Sequence, residues 1–236
     1  MRFENRTVVI TGVGREGQVG EAIAQAFARE GAALALVDLA ADEVERRAQG
    51  IRATGGRAQA HAGDLTDAPS VERIAAAVAR AHGGGIDALV HVAGGFAMSG
   101  PVAESDVAVL QRQLAINLTT AYTASRYFLP LLRVRGGAVV YFASAAALPG
   151  ESAPRMSAYA AAKSGVLALM RAVAAEEHGA NVRANAVAPT AIRTRDNLAS
   201  MGGDTRYVER ETVAEVVLFL CSEAARNISG QVLRLA

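Results

Sequence analysis

Short runs of apolar residues alternate along this chain with longer stretches in which apolar and polar positions recur at helical spacing. The short runs are rich in Val, Ile, Leu and Ala and have no polar face, which is typical of strands in a parallel sheet covered by helices. Such alternation predicts βα units and hence a doubly wound α/β fold with helices on both faces of the sheet. The predicted strands are Thr7–Thr11, Ala33–Asp38, Ala58–Ala62, Ala88–Ala93, Ala138–Ala143, Arg183–Val187 and Gln231–Leu235. The predicted helices lie near Gly20–Glu30, Ala41–Thr54, Ser70–Ala81, Asp106–Leu132, Ala158–His178 and Thr212–Glu223.

Length and composition predict one globular domain spanning residues 1–236. The formal net charge is +1, and no Pro- or Ser-rich linker divides the chain. A balanced charge indicates neither a nucleic-acid nor a membrane partner, because both usually require a concentrated basic face. No apolar run reaches the ~18 residues of a membrane span, and the first ten residues lack the apolar core of a signal peptide. We therefore expect a cytoplasmic protein.

The single cysteine, Cys221, lies on the apolar stripe of the stretch VAEVVLFLCSEAA. It has no partner for an internal disulfide, so we interpret it as a packing residue in a reducing compartment. No metal site is predicted.

The stretch VITGVGREGQVGEAIA places four glycines between the first strand and the first helix. In a βα turn, the pyrophosphate of a dinucleotide can bind at the positive end of the helix, and glycines let the backbone approach it closely. Gly12 would make the turn, and Gly20 would let the helix pack on the strand. Many βα loops contain glycine for conformational reasons alone, so the glycines by themselves do not establish a dinucleotide site.

Asp38, at the end of the second predicted strand, favours NAD over NADP. Its carboxylate can accept hydrogen bonds from the adenosine ribose and repels a 2′-phosphate. The alternative is an N-cap or turn aspartate, and Arg15 in the glycine loop weakly favours binding of a phosphate.

Two further strand ends fit the same ligand. Asp64 ends the third strand, where its side chain would face the adenine or cap a helix. Ala93 and Gly94 end the fourth strand, where they would lie against the cofactor or form a tight turn.

The segment SAYAAAKSG places Tyr159 and Lys163 four residues apart at the start of a predicted helix. That spacing puts both on one face, where an ammonium favours the phenolate form of the tyrosine. A free tyrosine titrates near ~10, so such a neighbour is needed if it is to act as a base at neutral pH. Ser144 follows the fifth strand, where its hydroxyl would hold a substrate oxygen or cap a turn.

These motifs resemble the short-chain dehydrogenase/reductase family of the single-domain kind. The similar segments run from TGVGREGQVG through GDLTD, VAGG, INLTTAY, FAS and YAAAK to NAVAPTAIRT and ISGQVL. The resemblance implies a seven-stranded Rossmann fold and reversible hydride transfer between a nicotinamide cofactor and a small-molecule carbonyl or secondary alcohol. It also implies a homodimer or homotetramer.

The resemblance assigns roles to four residues. Tyr159 would be the general acid/base, and Ser144 would position and polarise the substrate oxygen. Lys163 would lower the pKa of Tyr159 and bind the nicotinamide ribose, while Asn117 would hold a water that links Lys163 to solvent. Without the family, Asn117 would be interpreted as a buried polar residue that satisfies a helix backbone. The cofactor contacts implied are Gly12, Gln18, Val19, Gly20, Asp38, Asp64, Leu65, Ala93, Gly94, Tyr159, Lys163, Pro189, Ile192 and Thr194.

Three departures from the family pattern stand out. The glycine loop is longer than the usual Thr-Gly-x-x-x-Gly-x-Gly motif, with Gln18 at the position of the middle glycine, so Gly14 or Gly17 would supply the missing flexibility. His91 replaces an asparagine, and its place within the strand predicts a structural role. The segment RDNLASMGGDTRYVER is short, which predicts a reduced or mobile lid over a relatively open pocket.

Two functions from different classes remain. The first is an NAD-dependent oxidoreductase, favoured by the complete set of Ser144, Tyr159, Lys163 and Asn117. The second is a nucleotide-binding or regulatory protein that keeps the fold without useful turnover, which the changed loop and lid permit. A bare cofactor-binding module would not need Ser144.

Overall fold

Seven parallel strands form the central sheet of the computed structural model, which describes residues 1–236. The strands are β1 (Thr7–Thr11), β2 (Ala33–Asp38), β3 (Arg57–Ala62), β4 (Ala88–His91), β5 (Gly137–Phe142), β6 (Val182–Pro189) and β9 (Val232–Leu235), in the order β3-β2-β1-β4-β5-β6-β9. Every neighbouring pair is parallel. The seven-stranded, doubly wound Rossmann prediction is confirmed, and no strand boundary moves by more than two residues.

Helices cover both faces of this sheet. They are α1 (Val19–Arg29), α2 (Ala41–Ala53), α3 (Ala68–Ala81), α4 (Val107–Gln113), α5 (Thr120–Arg133), α6 (Ser157–Glu176), α7 (Arg195–Met201) and α8 (Arg210–Cys221). The single helix predicted over residues 106–132 is wrong in one respect, because a π-helical segment, Leu114–Thr119, separates α4 from α5. None of the helices is both long and apolar enough to cross a bilayer.

Three short elements were not predicted from the sequence. Strands β7 (Ala191–Arg193) and β8 (Tyr207–Glu209) form a separate parallel pair, and α7 lies between them in the chain. Elements of three residues are too short to show a hydrophobic period. The segment interpreted as a reduced lid therefore has its own secondary structure.

The core lies in two layers, one on each face of the sheet. Val8 and Ile10 of β1 point into the layer that contains α1 and α8, and Val9 points into the layer that contains α3, α5 and α6. All three are fully buried, which explains why this strand has no polar face. Cys221 lies in the first layer, and burial raises its thiol pKa to about 12. Its interpretation as a packing residue is confirmed.

The strand order places a cleft at one edge of the sheet. β1 pairs with β2 on one side and with β4 on the other, so the winding direction reverses between β1 and β4. In doubly wound folds, ligands bind outside the carboxyl ends of the strands at this reversal. The glycine loop, Asp38 and Ala93 all follow these strand ends.

Candidate functional site

A cavity of about 530 Å³ lies over the carboxyl ends of β1 to β6. Every residue predicted to contact the cofactor lines it: Gly12, Gln18, Val19, Gly20, Asp38, Asp64, Leu65, Ala93, Gly94, Tyr159, Lys163, Pro189, Ile192 and Thr194. A second cavity, of about 490 Å³, lies between α1 and α2 and contains none of the predicted site residues. The structure thus brings together residues that are far apart in sequence into one cleft large enough for a small ligand.

Two glycines allow the backbone to pack closely at the start of α1. Gly12 has φ +78°, and a Cβ atom there would lie 2.5 Å from the backbone nitrogen of Ala93. A Cβ atom on Gly20 would lie 2.2 Å from the Gly12 carbonyl oxygen. Because both neighbours are backbone atoms, neither position accepts a side chain without moving the strand or the helix.

The amino end of α1 has room to bind an anion. Gln18 is its N-cap but makes no capping hydrogen bond through its side chain, and its buried Nε2 has no hydrogen-bond partner. Unsatisfied N–H groups and the helix dipole at such an end attract negative charge. These features fit the pyrophosphate of a dinucleotide.

The additional length of the glycine loop folds toward α7. Gly17 has φ +74° and supplies the flexibility expected of it, whereas Gly14 does not adopt positive φ. The Gly17 amide donates to Glu21 at 2.7 Å, and its carbonyl accepts from the Arg195 amide at 3.0 Å. Arg15 pairs with Asp196 of α7. The loop therefore contacts the lid directly, and the sequence contained no periodic signal for this contact.

Asp38 lines the cleft and supports the loop. Its carboxylate accepts from the Gly14 amide at 2.8 Å and from the Ala40 amide at 3.2 Å. Ala40, rather than Asp38, is the N-cap of α2, so the helix-cap alternative is wrong and the turn alternative is correct. Each carboxylate oxygen accepts more than one hydrogen bond, so the contacts within the protein leave acceptor capacity for ribose hydroxyls.

Asp64 forms a turn of its own beside the cleft. Its Oδ1 accepts from the Thr66 amide at 2.7 Å and from the Thr66 hydroxyl at 2.8 Å. The N-cap of α3 is Asp67, so Asp64 does not cap that helix either. Its side chain is held at the edge of the cavity.

Tyr159 and Lys163 lie one turn apart on α6, as their spacing predicts. The Lys163 Nζ donates to the Phe142 carbonyl at 2.8 Å and lies 5.9 Å from the centre of the Tyr159 ring. Burial lowers the pKa of Lys163 to about 8. The ammonium is therefore held by the carboxyl end of β5 rather than by a carboxylate.

The net shift in the pKa of Tyr159 is opposite in direction to the one expected from its pairing with Lys163. The pKa of Tyr159 is raised from its ordinary value because burial disfavours the phenolate, although the Ser144 hydroxyl acts in the opposite direction. Ser144 lies beside Tyr159, and its Oγ also accepts from the Ala146 amide at 3.3 Å. Both interpretations of Ser144, as a neighbour of the reacting oxygen and as a turn cap, are thus compatible.

Asn117 fixes the backbone that follows β4. Within the π-helical segment, its amide group donates to the Gly95 carbonyl at 2.9 Å and accepts from the Gly95 amide at 3.2 Å. It also donates to the carbonyl of Gln113, one turn earlier. A Cβ atom on Gly94 would lie 2.5 Å from the Asn117 Oδ1 and 3.3 Å from the Lys163 Nζ. Asn117 and Lys163 therefore meet at Gly94. Gly94 and Lys163 line the cavity, and Asn117 lies behind them, outside the lining.

His91 is a structural residue, as its place within the strand predicts. The ring is 2% exposed, and its two nitrogens lie 3.0 Å from the Thr11 hydroxyl and 3.3 Å from the Thr120 hydroxyl. Burial, with a smaller contribution from nearby Lys163, lowers the pKa of His91 to about 3. The imidazole is neutral at physiological pH and bridges β1 to α5.

The lid side of the cleft is formed by β7 and the start of α7. Ile192 lies in β7, and its carbonyl accepts from the Asn197 side chain at 2.8 Å. Thr194 is the N-cap of α7, with its hydroxyl accepting from the Asn197 amide at 3.2 Å. Thr194 therefore begins the helix of the segment that was interpreted as a reduced lid.

Sequence reasoning missed one residue of the cavity lining and one residue that supports the glycine loop from outside the cavity. Phe96 lines the cavity and packs edge to face on Tyr159, with ring centres 5.0 Å apart. Glu21 receives the Gly17 amide and pairs with Arg47 of α2. The only available signals were an aromatic residue directly after Gly94 and Gly95, and an acidic residue in the first turn of α1.

Comparisons with known proteins find relatives that match nearly the whole chain. A family model described as enoyl-(acyl carrier protein) reductase matches residues 12–235. The chain is 36% identical to 2-(S)-hydroxypropyl-CoM dehydrogenase 3 of Xanthobacter autotrophicus, over 97% of this chain and 94% of the relative. It is 35% identical to meso-2,3-butanediol dehydrogenase of Serratia marcescens, over 98% and 92%. The structure of an NAD⁺-bound xylitol dehydrogenase superposes with a TM-score of 0.90 at 25% identity, over 100% of this chain and 99% of that chain.

Proposed function

The chain belongs to the short-chain dehydrogenase/reductase family and is an oxidoreductase that acts on CH–OH groups with NAD(P); from this premise we propose that NAD is its cofactor and that Tyr159 is its general acid/base. The observation that carries the proposal is that Tyr159 and Lys163 line the same cleft as the glycine loop, and that the Ser144 hydroxyl, beside that lining, hydrogen-bonds to Tyr159. The substrate is a small-molecule secondary alcohol or the corresponding carbonyl compound.

The preference for NAD rests on Asp38. A carboxylate at the end of β2 accepts hydrogen bonds from ribose hydroxyls and repels a 2′-phosphate. The one cation of the glycine loop, Arg15, is already paired with Asp196, which reduces its availability to a phosphate. We expect kcat/KM to be higher with NAD than with NADP, and Asp38→Ala to narrow that ratio.

When bound, the nicotinamide supplies the hydride acceptor for oxidation and the hydride donor for reduction. In reduction, the Tyr159 hydroxyl gives its proton to the carbonyl oxygen, and in oxidation Tyr159 Oη takes the proton of the alcohol. Ser144 Oγ holds the same substrate oxygen. Lys163, kept close to Tyr159 by the Phe142 carbonyl, stabilises the phenolate that remains after proton donation.

The raised pKa of Tyr159 gives the two directions different pH dependence. Because burial keeps the phenol protonated, the proton donor for carbonyl reduction is present at neutral pH. Oxidation needs the phenolate, so its rate should increase as the pH rises. Rates measured in both directions across a pH series test this assignment.

The deciding experiment follows NADH absorbance with a panel of ketones and secondary alcohols. We expect Tyr159→Phe to lower kcat by about 10²–10⁴-fold while NADH still binds, as followed by its fluorescence. Tyr127→Phe removes a phenol from α5, outside the cleft, and is the matched control. Turnover unaffected by Tyr159→Phe would overturn the mechanism, and NADH binding without any turnover would favour the nucleotide-binding alternative.

We also propose that the chain forms a homo-oligomer through the surface of α4 and α5. Val107 and Leu110, one turn apart on α4, are 65% and 38% exposed, and Tyr122 on α5 is 59% exposed. Exposed apolar side chains on one helix face favour association. Light scattering measures the assembled mass. We expect Val107→Asp to shift it toward the monomer, and a wild-type monomer would contradict the proposal.

A further inference from the structure

Phe96 is an exposed aromatic residue inside the cleft. The residue is 56% exposed, whereas Phe142 and Ile192, which also line the cavity, are only 6% and 8% exposed. One part of the Phe96 ring contacts Tyr159 at an interplanar angle of 88°. The remainder faces open space next to the residue that is proposed to exchange the substrate proton.

The backbone on both sides of Phe96 is fixed. Gly95 exchanges two hydrogen bonds with the buried Asn117 side chain, at 2.9 and 3.2 Å. After Phe96, the amides of Ser99 and Gly100 both donate to the Arg155 carbonyl, at 2.8 and 3.1 Å. The Ser99 hydroxyl lies 3.2 Å from that of Ser157, at the start of α6. The exposure of Phe96 is therefore imposed by a short, anchored segment.

The charged residues that line the cleft lie mainly on the side opposite Phe96. Four charged residues line the cavity. Arg15, Asp38 and Asp64 belong to the glycine loop or follow β2 and β3, and the fourth, Lys163, already donates to the Phe142 carbonyl at 2.8 Å. On the α6 side, no cation of the lining is available to pair with a carboxylate or phosphate on the substrate.

Arg193, an arginine of the lid, is also engaged. Arg193 in β7 pairs with Glu209 at 2.7 Å and stacks over the Tyr207 ring at 4.9 Å. Its guanidinium is thus held on the β7–β8 pair and not in the cavity lining. A substrate group beside Phe96 therefore meets the exposed face of an aromatic ring.

We propose that Phe96 is a specificity-determining residue that binds an uncharged apolar substituent, alkyl, cycloalkyl or aryl, of the secondary alcohol or ketone. This inference rests on the proposed function, because the substituent is bonded to the carbon whose oxygen meets Tyr159. Contact with the exposed part of the ring removes apolar surface of both partners from water. Catalytic efficiency should therefore rise with the apolar area of the substituent.

The test compares 2-propanol, 2-butanol, 2-pentanol, 2-hexanol, cyclohexanol and 1-phenylethanol with 3-hydroxybutyrate, in the presence of NAD. For the wild type, we expect kcat/KM to rise about two- to fourfold for each added methylene, as its burial predicts. Phe96→Ala should flatten this rise and lower kcat/KM for 1-phenylethanol by about tenfold or more. Phe96→Leu, which keeps an apolar side chain, should restore most of the chain-length dependence.

Phe219→Ala is the matched control, because Phe219 is a partly exposed phenylalanine on α8 outside the cleft. It should leave the chain-length dependence unchanged. An equal loss of kcat/KM for every alcohol in Phe96→Ala would indicate that Phe96 only supports Tyr159, and it would overturn the inference. A wild-type preference for 3-hydroxybutyrate over 2-butanol would overturn it as well.

A binding measurement with a ketone distinguishes failure of this inference from failure of the proposed function. Acetophenone is titrated into the protein–NADH complex, and the change in NADH fluorescence is followed. Binding that weakens in Phe96→Ala, in a protein that turns over no alcohol, would support the apolar subsite and refute the proposed function. Absence of both acetophenone binding and a chain-length dependence would refute the subsite itself.

Discussion

The two sides of the cleft hold their side chains in different ways. On the α6 side, Lys163 and Asn117 are 5% and 1% exposed and donate to backbone carbonyls at 2.8 and 2.9 Å. On the loop side, which consists of residues 15–17 and the first turn of α7, Arg15 and Asp196 form an ion pair with 63% and 42% of their side chains exposed. Buried hydrogen bonds fix both position and charge, whereas exposed ion pairs are screened by water and salt.

The more tightly held side is also the side on which the sequence keeps the family's pattern. The α6 side keeps the Ser, Tyr, Lys and Asn pattern at Ser144, Tyr159, Lys163 and Asn117, while the loop side has a longer glycine loop and a short lid. A change of loop length at an exposed surface costs little, because its closure entropy grows slowly with length. A change among buried, hydrogen-bonded groups leaves a polar partner unsatisfied.

The largest difference between the two sides is expected in turnover, when one cation is removed from each side in separate variants. Lys163→Met keeps an unbranched side chain, one heavy atom shorter, but removes the charge next to Tyr159, and we expect kcat to fall by about 10²–10³-fold. Arg15→Met should change kcat/KM by about fivefold at most, since an exposed ion pair contributes roughly 0–1 kcal/mol. Steady-state kinetics with NAD measures both.

Thermal unfolding provides the control for this pair. Loss of the Lys163 hydrogen bond to the Phe142 carbonyl should lower the free energy of unfolding by about 1–3 kcal/mol. This is less than the roughly 5–15 kcal/mol of a typical domain, so the loss of turnover is not a loss of folding. Equal kinetic effects of the two substitutions would contradict the distinction between the sides.

The next prediction compares the loss of stability when Gly20 or Gly17 is replaced by alanine. Gly20→Ala places a Cβ atom 2.2 Å from the Gly12 carbonyl oxygen, which only a backbone shift can relieve, and we expect a loss of about 3 kcal/mol or more. Gly17→Ala on the loop side puts a side chain at φ +74°, which costs about 1–2 kcal/mol. Chemical denaturation measures both, and NADH titration should show the larger loss of affinity for Gly20→Ala. A larger destabilisation by Gly17→Ala would show that the loop is the more tightly packed of the two.

The same contrast explains what the sequence predicted and what it did not. The strands are apolar at nearly every position, so β1 and β2 were placed to the residue, and strand ends then located Asp38 and Ser144. The π-helical segment at Asn117 was missed because its apolar pattern resembles that of an α-helix. The contact of Gly17 with Arg195 joins segments distant in the chain and has no periodic signal. The raised pKa of Tyr159 depends on burial, which spacing along a helix does not reveal.

A smaller effect tests the buried network through His91. Because burial depresses its pKa to about 3, from about 6.5 in the unfolded chain, the unfolded state alone binds a proton as the pH falls below about 6.5. The stability contributed by the neutral imidazole is therefore present above that pH and lost at about 1.4 kcal/mol per pH unit down to about pH 3. Between pH 7 and 5 we expect this residue to account for a loss of about 2 kcal/mol.

His91→Asn removes that titration and should flatten the dependence of the free energy of unfolding on pH. His178→Asn, on the exposed turn after α6, is the matched control and should leave the slope closer to that of the wild type. An unchanged slope in His91→Asn would mean that His91 takes up its proton in the folded state.

The smallest effect is expected for the ion pair between Arg15 and Asp196. In a double-mutant cycle with Arg15→Ala and Asp196→Ala, the coupling free energy measured by urea denaturation should be about 1 kcal/mol or less. It should decrease further near 1 M salt, where the Debye length is about 3 Å. The Arg195 amide still donates to the Gly17 carbonyl in these variants, so the lid keeps one contact with the loop. A coupling of about 2 kcal/mol or more that persists in high salt would show that the loop side is held as firmly as the α6 side, because only a desolvated pair resists screening in this way.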